Sequence, residues 1–316
     1  MLKIILIIAA VLLLIVFGGG YMFFRISILR QEPKPQKFDN PDDPWAKIEP
    51  ILAKGREFIF SRPCEEWEIK SDDNLKLWAR FLPAYDENGN VSKNVVLMMH
   101  GYHSFNNNDF AVSAKYVAEA GYSILLPNQR SHGNSEGKYI CFGIKERYDC
   151  KKWIEETISR LGPDTKIILM GVSMGCATVT MTLGLNLPDN VKGCISDCGY
   201  TSPAEEFRDI LHKSYHLPDF PFMYTQKMYC KLLADFDIDG CSTVDVLKKQ
   251  KRPVLFIHGG IDTFVPTRFS YENYEACTAE KELLIIDNAT HAQSFPLAPE
   301  KCWESVSAFL ERNFAR

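Results

Sequence analysis

The segment IILMGVSMGCATV, Ile167–Val179, places a serine between two glycines at the point where a strand pattern gives way to a helix pattern. Its first residues form a short apolar run typical of a buried strand. Small residues two positions either side of Ser173 allow a tight strand-to-helix turn that presents the hydroxyl at the top of the sheet. The same turn leaves the Met174 backbone N–H at a helix N-terminus, where it can stabilise an oxyanion. The pattern therefore predicts that Ser173 is a nucleophile.

Short apolar segments recur along the chain and are separated by stretches of helix length. They read NVVLMMH, YSILLPN, KIILMG, VKGCIS, PVLFIHG and KELLIID, after two earlier segments, EEWEIK and LKLWARFLP, that alternate like antiparallel strands. This alternation of strand and helix predicts a mostly parallel sheet with helices on both faces. The connection Tyr200–Gln250 is longer and rich in aromatic residues, which indicates either a small helical cap over the carboxyl edge of the sheet or an extension of the core.

A serine hydroxyl needs a neighbouring base, and that base needs an acid to orient it. Asp262 follows the predicted strand Pro253–His258, and His291 follows the predicted strand Lys281–Asp287. Asp197, after the predicted strand at residues 191–196, is the alternative acid. The chain order serine, aspartate, histidine is the one that a nucleophile on such a turn predicts.

From about Glu65 to its end, the sequence resembles the α/β-hydrolase superfamily, with a pattern close to serine aminopeptidase-like and acyltransferase-like members. The segments that carry the resemblance are HGYHSF (100–105), NQRSHGNSEG (128–137), GVSMG (171–175), GGIDTFVP (259–266) and NATHAQS (288–294). The resemblance implies that Ser173 is the nucleophile, His291 the general base and acid, and Asp262 the carboxylate that orients His291. It also implies that the backbone N–H groups of Tyr102 and Met174 form the oxyanion hole.

The segment NQRSHGNSEG departs from the superfamily pattern D-x-R-G-x-G-x-S, since Asn128 replaces the acid and Ser131 the first glycine. The resemblance implies that this loop braces the oxyanion loop, so the departures concern local geometry rather than catalysis. The other histidines of interest lack a triad context. We interpret His103 as a residue at the mouth of the site, His132 as a structural residue, and His216 and His258 as structural or surface residues.

The N-terminus carries an uninterrupted apolar run, Ile4–Phe24, of about the ~20 residues that a helix needs to cross a bilayer. Aromatic residues followed by Arg25 close the run, as at a membrane interface. The alternative is a cleaved signal peptide, but the run lacks a small-residue cleavage site and exceeds the usual apolar length of ~7–15 residues. We therefore predict a transmembrane anchor over residues 1–25, a Pro-rich tether over 26–44, and one hydrolase domain over 45–316 with its cap at about 200–250.

Composition narrows the class of protein further. The chain has 316 residues, 46% of them hydrophobic and 24% charged, which is ordinary for one globular domain. Its net charge of −4 is spread without a basic patch, so nucleic acid is not an expected partner. Ten cysteines lie in a core-rich sequence and predict free thiols. Neither a zinc-ligand pattern nor a dinucleotide motif is present, so we expect no metal and no cofactor.

These observations together predict a membrane-anchored serine hydrolase, a carboxylesterase that acts on a small-molecule acyl ester. One alternative is another enzyme with the same triad, either a serine peptidase or an acyltransferase. A second alternative is a binding protein without catalytic activity. Basic residues that follow the anchor, Arg25, Arg30, Lys34 and Lys37, favour a cytoplasmic catalytic domain by the positive-inside rule.

Overall fold

The computed structural model describes residues 1–31 and 43–316. Its centre is an eight-stranded sheet made of β1 (Glu65–Lys70), β2 (Lys76–Leu82), β3 (Asn94–Met99), β4 (Ser123–Pro127), β5 (Lys166–Val172), β6 (Val191–Asp197), β7 (Val254–Gly259) and β8 (Lys281–Ile286). The spatial order is β1-β2-β4-β3-β5-β6-β7-β8. The pairs β1–β2 and β2–β4 are antiparallel, and all other pairs are parallel. The predicted mostly parallel sheet is confirmed.

The helices precede, follow and connect these strands. They are α1 (Leu2–Ile28), α2 (Pro44–Ser61), α3 (Asn106–Asp109), α4 (Ser113–Glu119), α5 (Glu146–Leu161), α6 (Met174–Thr182), α7 (Pro203–Tyr215), α8 (Asp219–Ala234), α9 (Thr243–Leu247), α10 (Arg268–Ala276), α11 (Ser294–Leu297) and α12 (Pro299–Phe314). At the start of α2, the Asp43 carboxylate accepts a hydrogen bond from the Trp45 backbone N–H, at 2.8 Å, and so caps the helix.

Both faces of the sheet are covered, which explains why its central strands are apolar on both faces over most of their length. In β3, Val96 and Met98 join a core layer with α2, α4 and α12, whereas the alternate residues Val95 and Leu97 join a second layer with α5 and α6. Successive side chains of a strand point to opposite faces, so a strand between two helix layers needs apolar residues throughout. The carboxyl ends of the parallel strands are thereby fixed along one edge, where the candidate site lies.

The connection between β6 and β7 is helical, with α7, α8 and α9 in the region predicted as a cap. Side chains of α7 and α8 form a third apolar cluster that includes Phe207, Met223 and Cys230. Two residues of α1, Phe24 and Ile28, are buried in the same cluster. The same cluster includes residues of α6 and of the segment 140–144, so the cap and the end of the N-terminal helix pack together on the main domain.

The N-terminal helix differs from the prediction in where it ends and what it contacts. α1 continues past residue 25 to Ile28, and Leu29 then forms an antiparallel bridge with Tyr139. The predicted separation of anchor and domain is corrected here, because the last turns of α1 carry apolar side chains that the cap buries. Residues 32–42, most of the predicted tether, lie outside the described residues.

Among the described residues, α1 is the one helix long and apolar enough to cross a membrane. Its most apolar 18-residue window has a mean hydropathy of 2.9 and no buried residue. The ten cysteines all lie in the described ranges as free thiols, eight of them buried, as the sequence predicts.

Candidate active site

Ser173 lies in a strained turn between β5 and α6. Its backbone has φ 56° and ψ −119°, a conformation that few non-glycine residues adopt. The flanking glycines make this turn possible. A Cβ atom on Gly171 would lie 2.3 Å from the Gly175 carbonyl oxygen, and one on Gly175 would lie 1.8 Å from the Met99 carbonyl oxygen. The two glycines of G-V-S-M-G are therefore required because no larger residue fits at either position.

Ser173, His291 and Asp262 form a continuous chain of hydrogen bonds. The distance from His291 Nδ1 to Asp262 Oδ2 is 2.7 Å, and the distance from His291 Nε2 to Ser173 Oγ is 2.9 Å. Since a carboxylate only accepts hydrogen bonds, Nδ1 carries the ring proton and Nε2 accepts from the serine hydroxyl. The imidazole is thus held in the tautomer that can receive the serine proton.

Asp262 is held as an anion by its surroundings. Its Oδ1 accepts hydrogen bonds from the backbone N–H groups of Phe264, at 2.9 Å, and Val265, at 3.0 Å. Burial alone raises the pKa of the Asp262 carboxyl, but hydrogen bonds from His258 and His291 outweigh it and lower the pKa from 3.8 to about 2. The carboxylate is therefore ionised throughout the physiological pH range.

His258 is a second histidine on Asp262, which the sequence interpretation as a structural or surface residue did not anticipate. It is buried at the end of β7, and its Nε2 lies 3.2 Å from Asp262 Oδ2 and 2.9 Å from the Val265 carbonyl oxygen. Two acceptors facing Nε2 mean that this nitrogen carries the proton, so Nδ1 accepts from the Ser270 hydroxyl at 2.6 Å. His258 thus positions Asp262. His216, by contrast, is an exposed residue at the end of α7 and lies outside the site.

Asp197, the alternative acid, lies at the end of β6 and is buried. Among the described residues, its Oδ1 has no hydrogen-bond partner, and the carboxylate that contacts His291 is that of Asp262. Burial raises the pKa of Asp197 to about 7. Asp262 is therefore the carboxylate that is hydrogen-bonded to His291, and Asp197 lies near it without that contact.

The loop after β3 brings the backbone of residues 100–102 against Ser173. A Cβ atom on Gly101 would lie 3.2 Å from Ser173 Cβ, so the loop approaches the serine as closely as a glycine permits. Asp109 fixes the loop by accepting a hydrogen bond from the Gly101 N–H at 2.6 Å. Within the described part of the chain, the N–H groups of Tyr102 and Met174 donate no hydrogen bond. Both amides therefore remain available to a substrate oxygen.

The loop at residues 128–137 braces this arrangement. The Gln129 N–H donates to His100 Nε2 at 3.0 Å, and the His103 N–H donates to His132 Nε2 at 3.2 Å. Arg130 anchors the same loop through hydrogen bonds to Asp73 and Asp149. His103 and His132 both lie beside the loop formed by residues 100–102.

Two cavities meet at Ser173. The first is mainly apolar, has a volume of about 150 Å³ and is lined by Phe23, Ile26, Ser27, Tyr102, Phe142, Ser173, Met174, Tyr200, Glu206, Phe207, Ile210, Tyr215 and Phe264. The second has a volume of about 220 Å³ and polar groups along its wall, contributed by His103, Ser104, Asn108, Asp109 and His291. An ester whose carbonyl carbon lies at Ser173 would thus have one mainly apolar compartment and one of mixed character for its two halves.

Glu206 is a buried carboxyl group in the wall of the apolar cavity. Its Oε2 has no hydrogen-bond partner among the described residues, and the side chain is almost fully buried. Burial raises the pKa of Glu206 well above its usual value, and the nearby Asp209 and Asp262 carboxylates add to this effect. No sequence pattern distinguishes Glu206, because Glu205 and Asp209 of the same helix are acidic as well.

The comparisons with known proteins agree with this architecture. Residues 94–216 match the family described as "alpha/beta hydrolase fold". The uncharacterized protein YqkD of Bacillus subtilis (strain 168) is 28% identical over 202 residues, a match that covers 63% of this chain and 66% of that protein. The Pyrococcus furiosus esterase Pf2001 superposes with a TM-score of 0.64 at 23% identity, over 90% of this chain and 98% of the esterase.

A peptidase has a similar fold. The Pyrococcus horikoshii acylaminoacyl peptidase superposes with a TM-score of 0.56 at 20% identity, over 82% of this chain and 43% of the peptidase. At these identities the solved structures establish the fold. The chain has the α/β-hydrolase fold, and its residues 94–216 match the model of that family, as its sequence motifs predict.

Proposed function

We propose that the protein is a serine hydrolase, a carboxylesterase that forms an acyl-enzyme at Ser173. The observation that carries the proposal is the hydrogen-bonded chain from Ser173 through His291 to Asp262. A hydrogen-bonded chain of this geometry lies next to two backbone N–H groups that have no partner among the described residues. Together they supply the groups that acyl transfer needs: a nucleophile, a base with its orienting acid, and oxyanion donors.

In the first half-reaction, Ser173 Oγ attacks the ester carbonyl carbon while His291 Nε2 takes the hydroxyl proton. The resulting oxyanion accepts hydrogen bonds from the N–H groups of Tyr102 and Met174. Asp262 stays ionised and stabilises the imidazolium that forms on His291. The bond from the carbonyl carbon to the alcohol oxygen then breaks, and His291 returns its proton to the departing alcohol. Ser173 is left as an ester of the acyl group.

In the second half-reaction, water takes the place of the alcohol. His291 removes a proton from the water as the water oxygen attacks the acyl carbon, and the same amides bind the oxyanion again. The bond from the acyl carbon to Ser173 Oγ breaks, and His291 gives the proton to the serine. A carboxylic acid leaves, and the enzyme returns to its starting state.

The two cavities support an ester substrate in preference to a peptide. The mainly apolar cavity at Ser173 suits an acyl chain, and the second cavity, which has more polar groups in its wall, suits a small alcohol or the attacking water. The esterase named above has the same fold. The complete chain of hydrogen bonds argues against a silent binding protein.

We further propose that α1 is retained as a single-pass anchor. Cleavage within the apolar run would remove residues that pack on the cap: the Tyr229 hydroxyl donates to the Phe17 carbonyl oxygen at 3.0 Å, and Gly20 is buried against Thr225. The basic residues after the run favour a cytoplasmic catalytic domain, and ten free thiols are compatible with that compartment.

A substrate panel tests the proposed reaction. Purified full-length protein is assayed on a p-nitrophenyl ester, a thioester and an aminoacyl amide, with Ser173→Ala as the matched control. We expect the ester to be hydrolysed fastest, and we expect the control to lose roughly 10⁴–10⁶ in rate. Faster amide cleavage identifies a peptidase, and acyl transfer to an added alcohol in excess over hydrolysis identifies an acyltransferase. Ester binding without turnover by the wild-type protein identifies a binding protein.

A further inference from the structure

The end of the N-terminal helix is part of the substrate cavity. Phe23, Ile26 and Ser27 of α1 line the apolar cavity that reaches Ser173. The Tyr102 hydroxyl also donates a hydrogen bond to the Ile26 carbonyl oxygen, at 3.1 Å, so α1 contacts the loop that holds a proposed oxyanion donor. The helix that is apolar enough to span a bilayer is therefore also a wall of the candidate active site.

The helix is fixed to the domain on two sides. On the cap side, Gln226 Nε2 donates to Ser27 Oγ at 3.0 Å, and a Cβ atom on Gly20 would lie 2.2 Å from Thr225 Oγ1. On the domain side, the Ile140 N–H donates to the Ile28 carbonyl oxygen at 2.8 Å. These contacts fix the position of the site along the helix axis.

That position corresponds to the boundary of the hydrocarbon core. As a helix, the apolar run Ile4–Phe24 spans roughly 31 Å, which matches the ~30 Å hydrocarbon thickness of a bilayer. Ile26 lies two residues further along the helix, about 3 Å beyond the end of this run. Lipid ester carbonyls lie at the same boundary, because they join the acyl chains to the polar headgroups. Ser173 is thus placed near the depth at which such esters reside.

The cap presents exposed apolar side chains beside the same helix. Phe220, Tyr224 and Leu232 of α8 are exposed by 73%, 67% and 72%. Because α8 packs on α1, with Tyr229 reaching Phe17, Leu232 lies about one turn beyond a contact with the membrane-spanning part of α1. Apolar side chains this exposed are unfavourable in water and favourable in a membrane interface. The cap therefore has a surface that fits the bilayer.

The cavity itself is too small for a long acyl chain. A volume of about 150 Å³ is similar to that of a cavity that holds one benzene molecule, so roughly five or six carbon atoms fit. The lining residues Ile26 and Tyr215 are 44% and 47% exposed, which places them at its rim, on α1 and α7. A longer chain would leave the cavity between these residues and continue along the apolar helix.

We propose that the substrate is a membrane-resident lipid ester with one acyl chain, which enters from the bilayer between α1 and α7. This inference rests on the proposed function and adds the substrate class. The first carbons of the acyl chain occupy the apolar cavity and the rest stays against α1, while the polar alcohol occupies the cavity beside Asp109 and His291. The reaction at Ser173 is the one described above: the acyl C–O bond breaks, the alcohol leaves with the serine proton, and water releases the fatty acid.

The test uses full-length protein in phospholipid vesicles. Hydrolysis of a long-chain monoacylglycerol in the vesicles is compared with hydrolysis of soluble p-nitrophenyl acetate, and fluorophosphonate labelling of Ser173 is measured in parallel. We expect the wild-type protein to prefer the long-chain ester. Ile26→Trp fills the rim of the cavity and removes contact for about two methylene groups, so the ratio of long-chain to acetate activity should fall by roughly tenfold.

Matched variants keep this experiment decisive. Leu14→Trp makes the same change on the same helix, at a side chain that is 76% exposed and about 18 Å away along the axis, and should leave the ratio unchanged. If Ile26→Trp does not fold, as shown by loss of labelling, Ile26→Ser tests the same rim without added volume and should lower the ratio in the same direction.

The outcomes separate this inference from the function on which it rests. Labelling and acetate hydrolysis without any preference for the vesicle ester would overturn the lipid substrate and leave the serine hydrolase intact. An unchanged ratio in a labelled Ile26→Trp protein would overturn the path along α1. Absence of both labelling and ester hydrolysis in the wild-type protein would overturn the proposed function itself.

Discussion

Replacing Asp262 by asparagine should inactivate the enzyme by forcing the wrong tautomer on His291. The asparagine carbonyl oxygen must face the backbone N–H groups of Phe264 and Val265, because an NH₂ group there would meet two donors. The NH₂ group is then directed at His291 Nδ1, which must accept, so that the ring proton moves to Nε2. A protonated Nε2 cannot take the serine proton.

The same NH₂ group would also face the protonated Nε2 of His258, so the substitution disturbs two contacts at once. In the Ser-His-Asp template established for chymotrypsin-like proteases, the corresponding change lowers kcat by about 10⁴, or roughly 5.5 kcal/mol. We expect a loss of similar size in kcat for p-nitrophenyl butyrate, with a smaller change in KM.

Asp197→Asn is the matched control for this prediction. It makes the same chemical change in a buried carboxyl group at the end of the neighbouring strand. Because burial already raises the pKa of Asp197 to about 7, an uncharged side chain there resembles the protonated wild-type group. We expect kcat to stay within a fewfold of wild type. A loss for Asp197→Asn as large as that for Asp262→Asn would refute the assignment of the acid.

Three further predictions concern the oxyanion loop, the cavity carboxyl group and the topology. Tyr102→Pro removes the proposed N–H donor and should lower kcat by about 10²–10³, far more than Tyr102→Phe does; equal losses would identify the phenol as the functional group. Between the unfolded pKa of Glu206, about 4.5, and its raised folded pKa, the wild-type protein loses roughly 1.4 kcal/mol of stability per pH unit. Glu206→Gln removes this loss, so its stabilising effect relative to wild type should grow as the pH rises through that window. A gain in thermal stability that is the same at every pH would contradict a buried, protonated Glu206. A cysteine introduced by Gln36→Cys should resist an impermeant maleimide in intact cells until permeabilisation, and prompt labelling would place the domain on the other side of the membrane.

The sequence was sufficient for the fold and for the residues of the proposed triad because both depend on local patterns. The turn around Ser173 requires glycines at fixed spacing, and Asp262 and His291 follow strands whose apolar runs are easy to recognise. Parallel strands bring such residues to one edge, so their chain order is enough to predict that they meet.

Other features of the site depend on contacts between distant segments. His258 and Asp109 act through hydrogen bonds that appear only once the loops have been placed. The docking of α1 could not be predicted because a membrane anchor and a cap helix have the same apolar character. That Ile26 lies in the wall of the cavity follows from packing between residues far apart in the chain.

The central claim, that Ser173 is the nucleophile, is tested most directly by identifying the residue that a fluorophosphonate modifies. The full-length protein is treated with the probe, digested and examined by mass spectrometry, with Ser173→Ala treated in parallel. We predict one adduct, on the peptide that contains Ser173, its absence from the Ser173→Ala protein, and loss of ester hydrolysis in step with its formation. An adduct on a different residue, or undiminished ester hydrolysis by the Ser173→Ala protein, would contradict the account.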